Sequence, residues 1–166
     1  MEKEHSKINL SYQFEPIKDA RYIISEIMGN FNAELFKIFF SKIISKRINT
    51  IISELINNVL ANTIDKNSYF CVKIKSHENE IKIIVKNSVT LEQFKLVKDH
   101  IKMINEHNSP KKLLEETINE RRTKGLKGGL GLIRIVYEEK TKVFVRYNKK
   151  DSFMSVITKI NLSQEE

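Results

Sequence analysis

Glu54-Leu55-Ile56-Asn57-Asn58-Val59-Leu60-Ala61-Asn62 is the stretch that decides the fold. Glu54, Asn58 and Asn62 are four residues apart, so a helix places all three on one face. Ile51, Ile52, Leu55, Val59 and Leu60 occupy the rest of its circumference and form the packing side. Asparagine is a poor helix-interior residue, yet Asn57, Asn58 and Asn62 fall within six positions. Two explanations stand: a solvated polar face, or a site that wants a carboxylate beside amide oxygens able to ligate a hard cation such as magnesium.

The second informative stretch is Lys127-Gly128-Gly129-Leu130-Gly131-Leu132-Ile133. Glycines let backbone N–H groups approach phosphates, and a following helix directs its positive end at them. A glycine cluster also suits a flexible connector. Leu130, Leu132, Ile133, Ile135 and Val136 favour a loop packed onto a core. Between the two stretches, Ile83-Ile84-Val85-Lys86 reads as a buried strand ending on the polar pair Asn87-Ser88, followed by Val89.

Outward from these, Ile8 to Phe14 alternates as a strand, Pro16 suits a helix start, and Ile17 to Met28 is helical, with a break expected at Gly29-Asn30. Ala33 to about Ile64 is a long helical pattern, one helix or two. Tyr69 to Lys75 and Glu80 to Lys86 form a hairpin. Thr90 caps a helix to Asn105, residues 106–110 are a loop, and Lys111 to Arg122 is a short helix. Leu132 to Tyr137 begins another, and Lys142 to Tyr147 pairs with Phe153 to Asn161. The order predicts a single α+β domain over residues 1–166, a mixed sheet with helices on one face.

The chain has 166 residues, enough for one sizeable core. A net charge of +8 favours acidic partners such as nucleotide phosphates. No nucleic-acid motif is present and aromatic residues interleave little with the basic ones, which makes nucleic acid a disfavoured partner. No apolar run approaches the roughly 18–20 residues of a membrane span. The single cysteine, Cys71, cannot form an internal disulfide, and it lies in an alternating apolar run as a packed thiol. Together these point to a cytoplasmic setting. His5, His77, His100 and His107 show no metal-ligand spacing. Leu35-Phe36, Ile38-Phe39-Phe40 and Ile43-Ile44 suit either a core or a homodimer interface.

In this order, the three stretches resemble the histidine-kinase-like (GHKL) ATPase superfamily, whose fold is the two-layer α/β sandwich of the Bergerat type. Its helix motif E-x-x-x-N is matched by Glu54 and Asn58, with Asn62 a turn later. Its second glycine motif G-x-G-L-G-L is matched at Gly129-Leu130-Gly131-Leu132, with Gly128 as an extra glycine and Lys127 where the first glycine stands. Its first glycine motif, D-x-G-x-G, survives only as Asn87-Ser88-Val89. The likeness spans roughly residues 53–136.

Among these ATPases the chain is most similar to single-domain bacterial anti-sigma factors and serine/threonine kinases of partner-switching systems. The resemblance implies ATP and Mg2+ as cofactors and a STAS-domain protein or a sigma factor as partner. It implies Glu54 as general base and Asn58 as magnesium ligand, helped by Asn62. Asn87 would meet the adenine amino group. Gly128, Gly129 and Gly131, flanked by Leu130 and Leu132, would cradle phosphate, and Lys127 or Arg122 would neutralise its charge. Asn87 offers an acceptor oxygen but no charge, and Val89 replaces a glycine that lets backbone approach the base. The alternative is a non-catalytic nucleotide-binding or protein-docking module with a degenerate site.

Overall fold

The computed structural model describes residues 7–15, 21–62, 69–125 and 129–164. Two helices follow the first strand: β1 (Asn9–Phe14), α1 (Arg21–Lys37) and α2 (Lys42–Asn62). Gly29 does not break α1. It lies where α1 meets α2, and a Cβ there would stand 2.6 Å from Ser53 Oγ and also strike Asn49, so glycine serves helix contact, not helix termination. The break falls instead at residues 38–41, where Ser41 caps α2 by accepting from the Ile44 N–H at 3.3 Å. Phe36 and Ile44 enter the core, whereas Ile38, Phe39 and Ile43 are exposed. The Pro16 start lies outside the described residues.

The hairpin of β2 (Phe70–His77) and β3 (Glu80–Ser88) follows. After it come α3 (Leu91–Glu106), α4 (Pro110–Lys124) and α5 (Gly131–Glu138). Thr90 and Gln93 form a reciprocal cap at the start of α3: the Gln93 N–H donates to Thr90 Oγ1 and the Thr90 N–H to Gln93 Oε1. Ser109 caps α4, Pro110 opens it, and Gly125 ends it in the left-handed region. A second hairpin, β4 (Val143–Asn148) and β5 (Phe153–Asn161), completes the sheet.

The sheet order is β1-β2-β3-β5-β4 and every neighbouring pair is antiparallel, so the expected mixed sheet is corrected. The crossover through α3–α5 does return the chain in the direction of β3. It delivers β4 to the edge, and β5 folds back into the gap, so the two like-directed strands are never neighbours. Among the described residues, five α-helices and a five-stranded antiparallel sheet make an α+β fold compatible with two layers.

Strand register aligns one face: Leu10, Ile74, Ile83 and Thr158 in one row, and Tyr12, Val72, Val85 and Val156 in the next. The α2 residues Ile48, Ile51, Ile52, Leu55 and Ile56 join this core and are almost wholly buried. Removing such surface from water is the main favourable term in folding. Asn105 ties α3 to the edge strand, donating through Nδ2 to the Val143 carbonyl at 2.6 Å and accepting the Val143 N–H at 3.3 Å. Cys71 is buried, as its run suggests, but on the opposite face of the sheet, where its sulfur lies 3.7 Å from Ser11 Oγ. Among the described residues no helix is long and apolar enough to cross a membrane.

Candidate functional site

Apolar residues of α2 bind it to the core and turn Glu54 and Asn58 toward the start of α5. Asn58 Nδ2 donates to the Glu54 carbonyl one turn back, at 2.8 Å. Gly131, the first residue of α5, packs directly onto this pair: a Cβ there would fall 2.6 Å from Glu54 Oε2 and 2.7 Å from Asn58 Nδ2. Only hydrogen fits that space. Two motifs separated by more than 70 positions therefore meet side chain to backbone, and the amino end of α5 opens beside a carboxylate and an amide. Gly129 has φ of 75°, a left-handed conformation that side chains rarely adopt, and the Arg121 guanidinium occupies the place a Cβ would need.

Glu54 is not a bare carboxylate. Arg134, one turn into α5, donates to Glu54 Oε1 through Nη1 at 2.6 Å. Its Nε and Nη2 reach the two oxygens of Glu138 at 3.1 and 3.2 Å. Burial pushes the Glu54 pKa up, Arg134 pulls it down, and Glu138 adds to the rise, for a net upward shift. A carboxyl of raised pKa is a better proton acceptor than an exposed one, and Arg134 opposes that by stabilising the anion. Glu138 raises the Arg134 pKa, chiefly by hydrogen bonding. On α4, Arg121 Nε is buried without a hydrogen-bond partner. His100 has its pKa lowered, first by burial and then by Arg121.

Beside the Glu54–Asn58 pair lies a cavity of about 170 Å³. Its walls come from α2 (Leu55, Asn58), the end of β3 (Asn87, Val89), α3 (Val97), α5 (Leu132) and β5 (Met154, Val156). Apolar surface dominates, and the deepest polar group is Asn87, 1% exposed. Asn87 Nδ2 points to the Ser88 carbonyl at 3.5 Å, while Oδ1 is buried with no partner. Flipping the amide would set oxygen against oxygen, so the orphan is an acceptor. A buried acceptor left unpaired costs about 1–3 kcal/mol.

Of the residues singled out in the sequence, Glu54, Asn58 and Gly131 are in one cluster, and Asn58, Asn87 and Leu132 line one cavity. Gly129 and Leu130 form the approach to α5. Lys127 and Gly128 lie outside the described residues, as does the Asn62 side chain, although the Asn62 backbone ends α2. Arg122 is exposed, and its neighbour Arg121 is the α4 arginine that packs on the loop. Sequence reasoning missed Arg134. Its spacing carries a signal: Arg134 is one turn past Gly131 and four before Glu138, which puts it on the helix side above Glu54.

Magnesium would find few protein ligands. No group of three His, Cys, Asp or Glu side chains is positioned for a metal among the described residues, which leaves the Glu54 carboxylate, whose Oε2 meets Gly131, as the oxygen nearest the loop, while Asn58 turns its Nδ2 there. That donor set suits an ion that keeps its waters and takes phosphate oxygens. No protein-family model matches the chain, and no curated protein matches it significantly. What defines it is therefore its own architecture: an α+β protein with an apolar cavity beside a glycine-led helix start.

Proposed function

We propose that the chain is an ATP-binding regulatory protein of the histidine-kinase-like (Bergerat) type, acting as a serine/threonine kinase or anti-sigma-type switch on a STAS-domain protein or a sigma factor. The observation that carries this reading is an apolar cavity walled by Asn58, Leu132 and Asn87, the last with a buried Oδ1 that has no partner. The exocyclic amino group of adenine is the donor that such an acceptor lacks, and the apolar walls suit the faces of a flat base. Bound ATP with Mg2+ would supply the transferable phosphoryl group and the countercharge it needs.

The chain's own residues then have separable tasks. Leu132, Val97 and Met154 exclude water from the base. Asn87 fixes its edge. Glu54 presents Oε2 toward the loop, Asn58 would join it as a ligand once its amide turns to bring the oxygen where Nδ2 lies, and Gly129 and Gly131 let backbone approach phosphate without a side chain between them. Glu54 would hold the proton taken from an acceptor hydroxyl, helped by its raised pKa.

One observation favours the second reading, a docking module without catalysis: Glu54 is already engaged by Arg134 at 2.6 Å, which lowers its basicity. Calorimetric titration with ATP and ADP, with and without magnesium, followed by phosphoryl transfer to a STAS-domain acceptor, distinguishes the two. Magnesium-dependent ATP binding with transfer supports the kinase. ATP binding without transfer supports the docking module, and no nucleotide binding at all overturns the ATP-binding reading and leaves only docking.

A further inference from the structure

We infer that the sheet face turned away from the helices is a binding surface for single-stranded nucleic acid. All six basic residues of the five strands lie on that face: Lys73, Lys75, Lys82, Lys86, Arg146 and Lys159. The one acidic residue of the strands is Glu80, which Lys159 binds at 2.8 Å. Over the whole chain basic residues outnumber acidic ones only 29 to 21, so the acids are segregated onto helices and loops. No ion pair among the described residues engages the other five cations.

Register gives the surface its pattern. Lys75, Lys82 and Lys159 form one row across β2, β3 and β5. Lys73, Ile84, Ile157 and Phe144 form the next, and Lys86, Ser155 and Arg146 the one after. Beyond them Tyr69 packs on Phe153, ring centroids 5.0 Å apart. Tyr69 is 38% exposed and Phe144 is 46% exposed. Basic and aromatic residues that are dispersed along the sequence thus interleave in space.

Exposed rings between cations match what a single strand presents. Each base has a face that stacks on an aromatic side chain, and each phosphate needs a positive neighbour. An antiparallel sheet sets adjacent strands about 4.8 Å apart, so these groups form a closely spaced platform. A duplex buries its base faces and would use the cations alone. An acidic protein segment would use the charges without needing flat rings.

The test is fluorescence anisotropy of a labelled thymidine oligomer of about 20 nucleotides, titrated with the full chain at several salt concentrations. Wild type should bind, with affinity falling steeply as salt rises. Lys73→Glu/Lys86→Glu should weaken binding at least about tenfold and flatten the log–log salt dependence by about 1.4. Phe144→Ala should weaken it about fivefold or more while leaving the salt slope unchanged. Lys111→Glu/Lys112→Glu, which makes the same charge change on exposed α4, should change it less than about twofold. Circular dichroism checks that each variant is folded. Absence of binding at low salt, or equal loss in the α4 variant, overturns the inference. So does polyglutamate displacing the oligomer at equal charge, which would assign the face to an acidic protein.

Discussion

Replacing Gly131 with alanine sets a methyl group 2.6 Å from Glu54 Oε2 and 2.7 Å from Asn58 Nδ2. Ordinary contact begins near 3.4 Å, so one side must retreat by about 0.8 Å. Glu54 is not free to do so, because Arg134 holds its other oxygen at 2.6 Å and Glu138 holds Arg134. Such overpacking costs about 1–3 kcal/mol. Alanine recovers about 0.5–1 kcal/mol as a better helix residue than glycine. The net loss of about 1–2 kcal/mol should lower the melting temperature by about 2–8 °C for a chain of this size. Nucleotide binding should fall with it. Gly125→Ala is the comparison: at φ of 63° it is strained, but nothing lies within 4 Å. It should cost about 1–2 kcal/mol and leave nucleotide affinity unchanged. Combining Gly131→Ala with Glu54→Ala should return about 1 kcal/mol of coupling in a double-mutant cycle. A Gly131→Ala protein that melts at or above wild type, with no coupling to Glu54, would refute the packing of loop against helix.

Asn87→Leu removes the orphaned acceptor, so the ligand-free protein should gain about 1 kcal/mol in urea unfolding while ATP affinity drops about tenfold; unchanged affinity would place the adenine elsewhere. Glu54→Gln should abolish phosphoryl transfer and largely spare nucleotide binding, as measured by transfer assay and calorimetry in parallel. The same variant tests the pKa. A raised folded pKa means that the Glu54 contribution to stability is full below its unfolded pKa and lost as pH rises through the folded one. The variant should therefore gain on wild type as pH increases, and a constant difference across the acidic range would argue against the shift. Asn105→Ala should cost about 1–2 kcal/mol and speed amide exchange at Val143, because it removes both hydrogen bonds that hold the start of β4.

Elements whose determinants are local were legible in the sequence. The strand alternation in β2, β3 and β5, the Thr90 cap and the helical face of Glu54 and Asn58 each depend on residues within one or two turns. Gly29 misleads because its reason is distant: Asn49 and Ser53 of another helix need the space. The pairing of β5 with β4 was legible as a local hairpin, but its insertion beside β3 was hidden, because that partner is distant in sequence. For the site, motif spacing pointed to Glu54, Asn58, Asn87 and Gly131. Arg134 and Arg121 were overlooked because single basic residues carry little signal in a chain with 29 of them. The aromatic and basic residues of the open sheet face become neighbours only through strand register.

The residues of the cavity floor set when the cavity can close during synthesis. Asn87 comes from β3, and Met154 and Val156 come from β5, which pairs with β3 across the sheet: Asn87 is opposite Met154 and Val85 opposite Val156. During synthesis the two hairpins can form from local contacts, but the floor joins residues almost 70 positions apart, a closure that is slow relative to hairpin formation. Until β5 docks, Asn87 has no apolar neighbours on that side. A nascent chain that has released every residue through Leu132 from the ribosome would still lack a closed cavity, so closure of the cavity would report completion of the sheet.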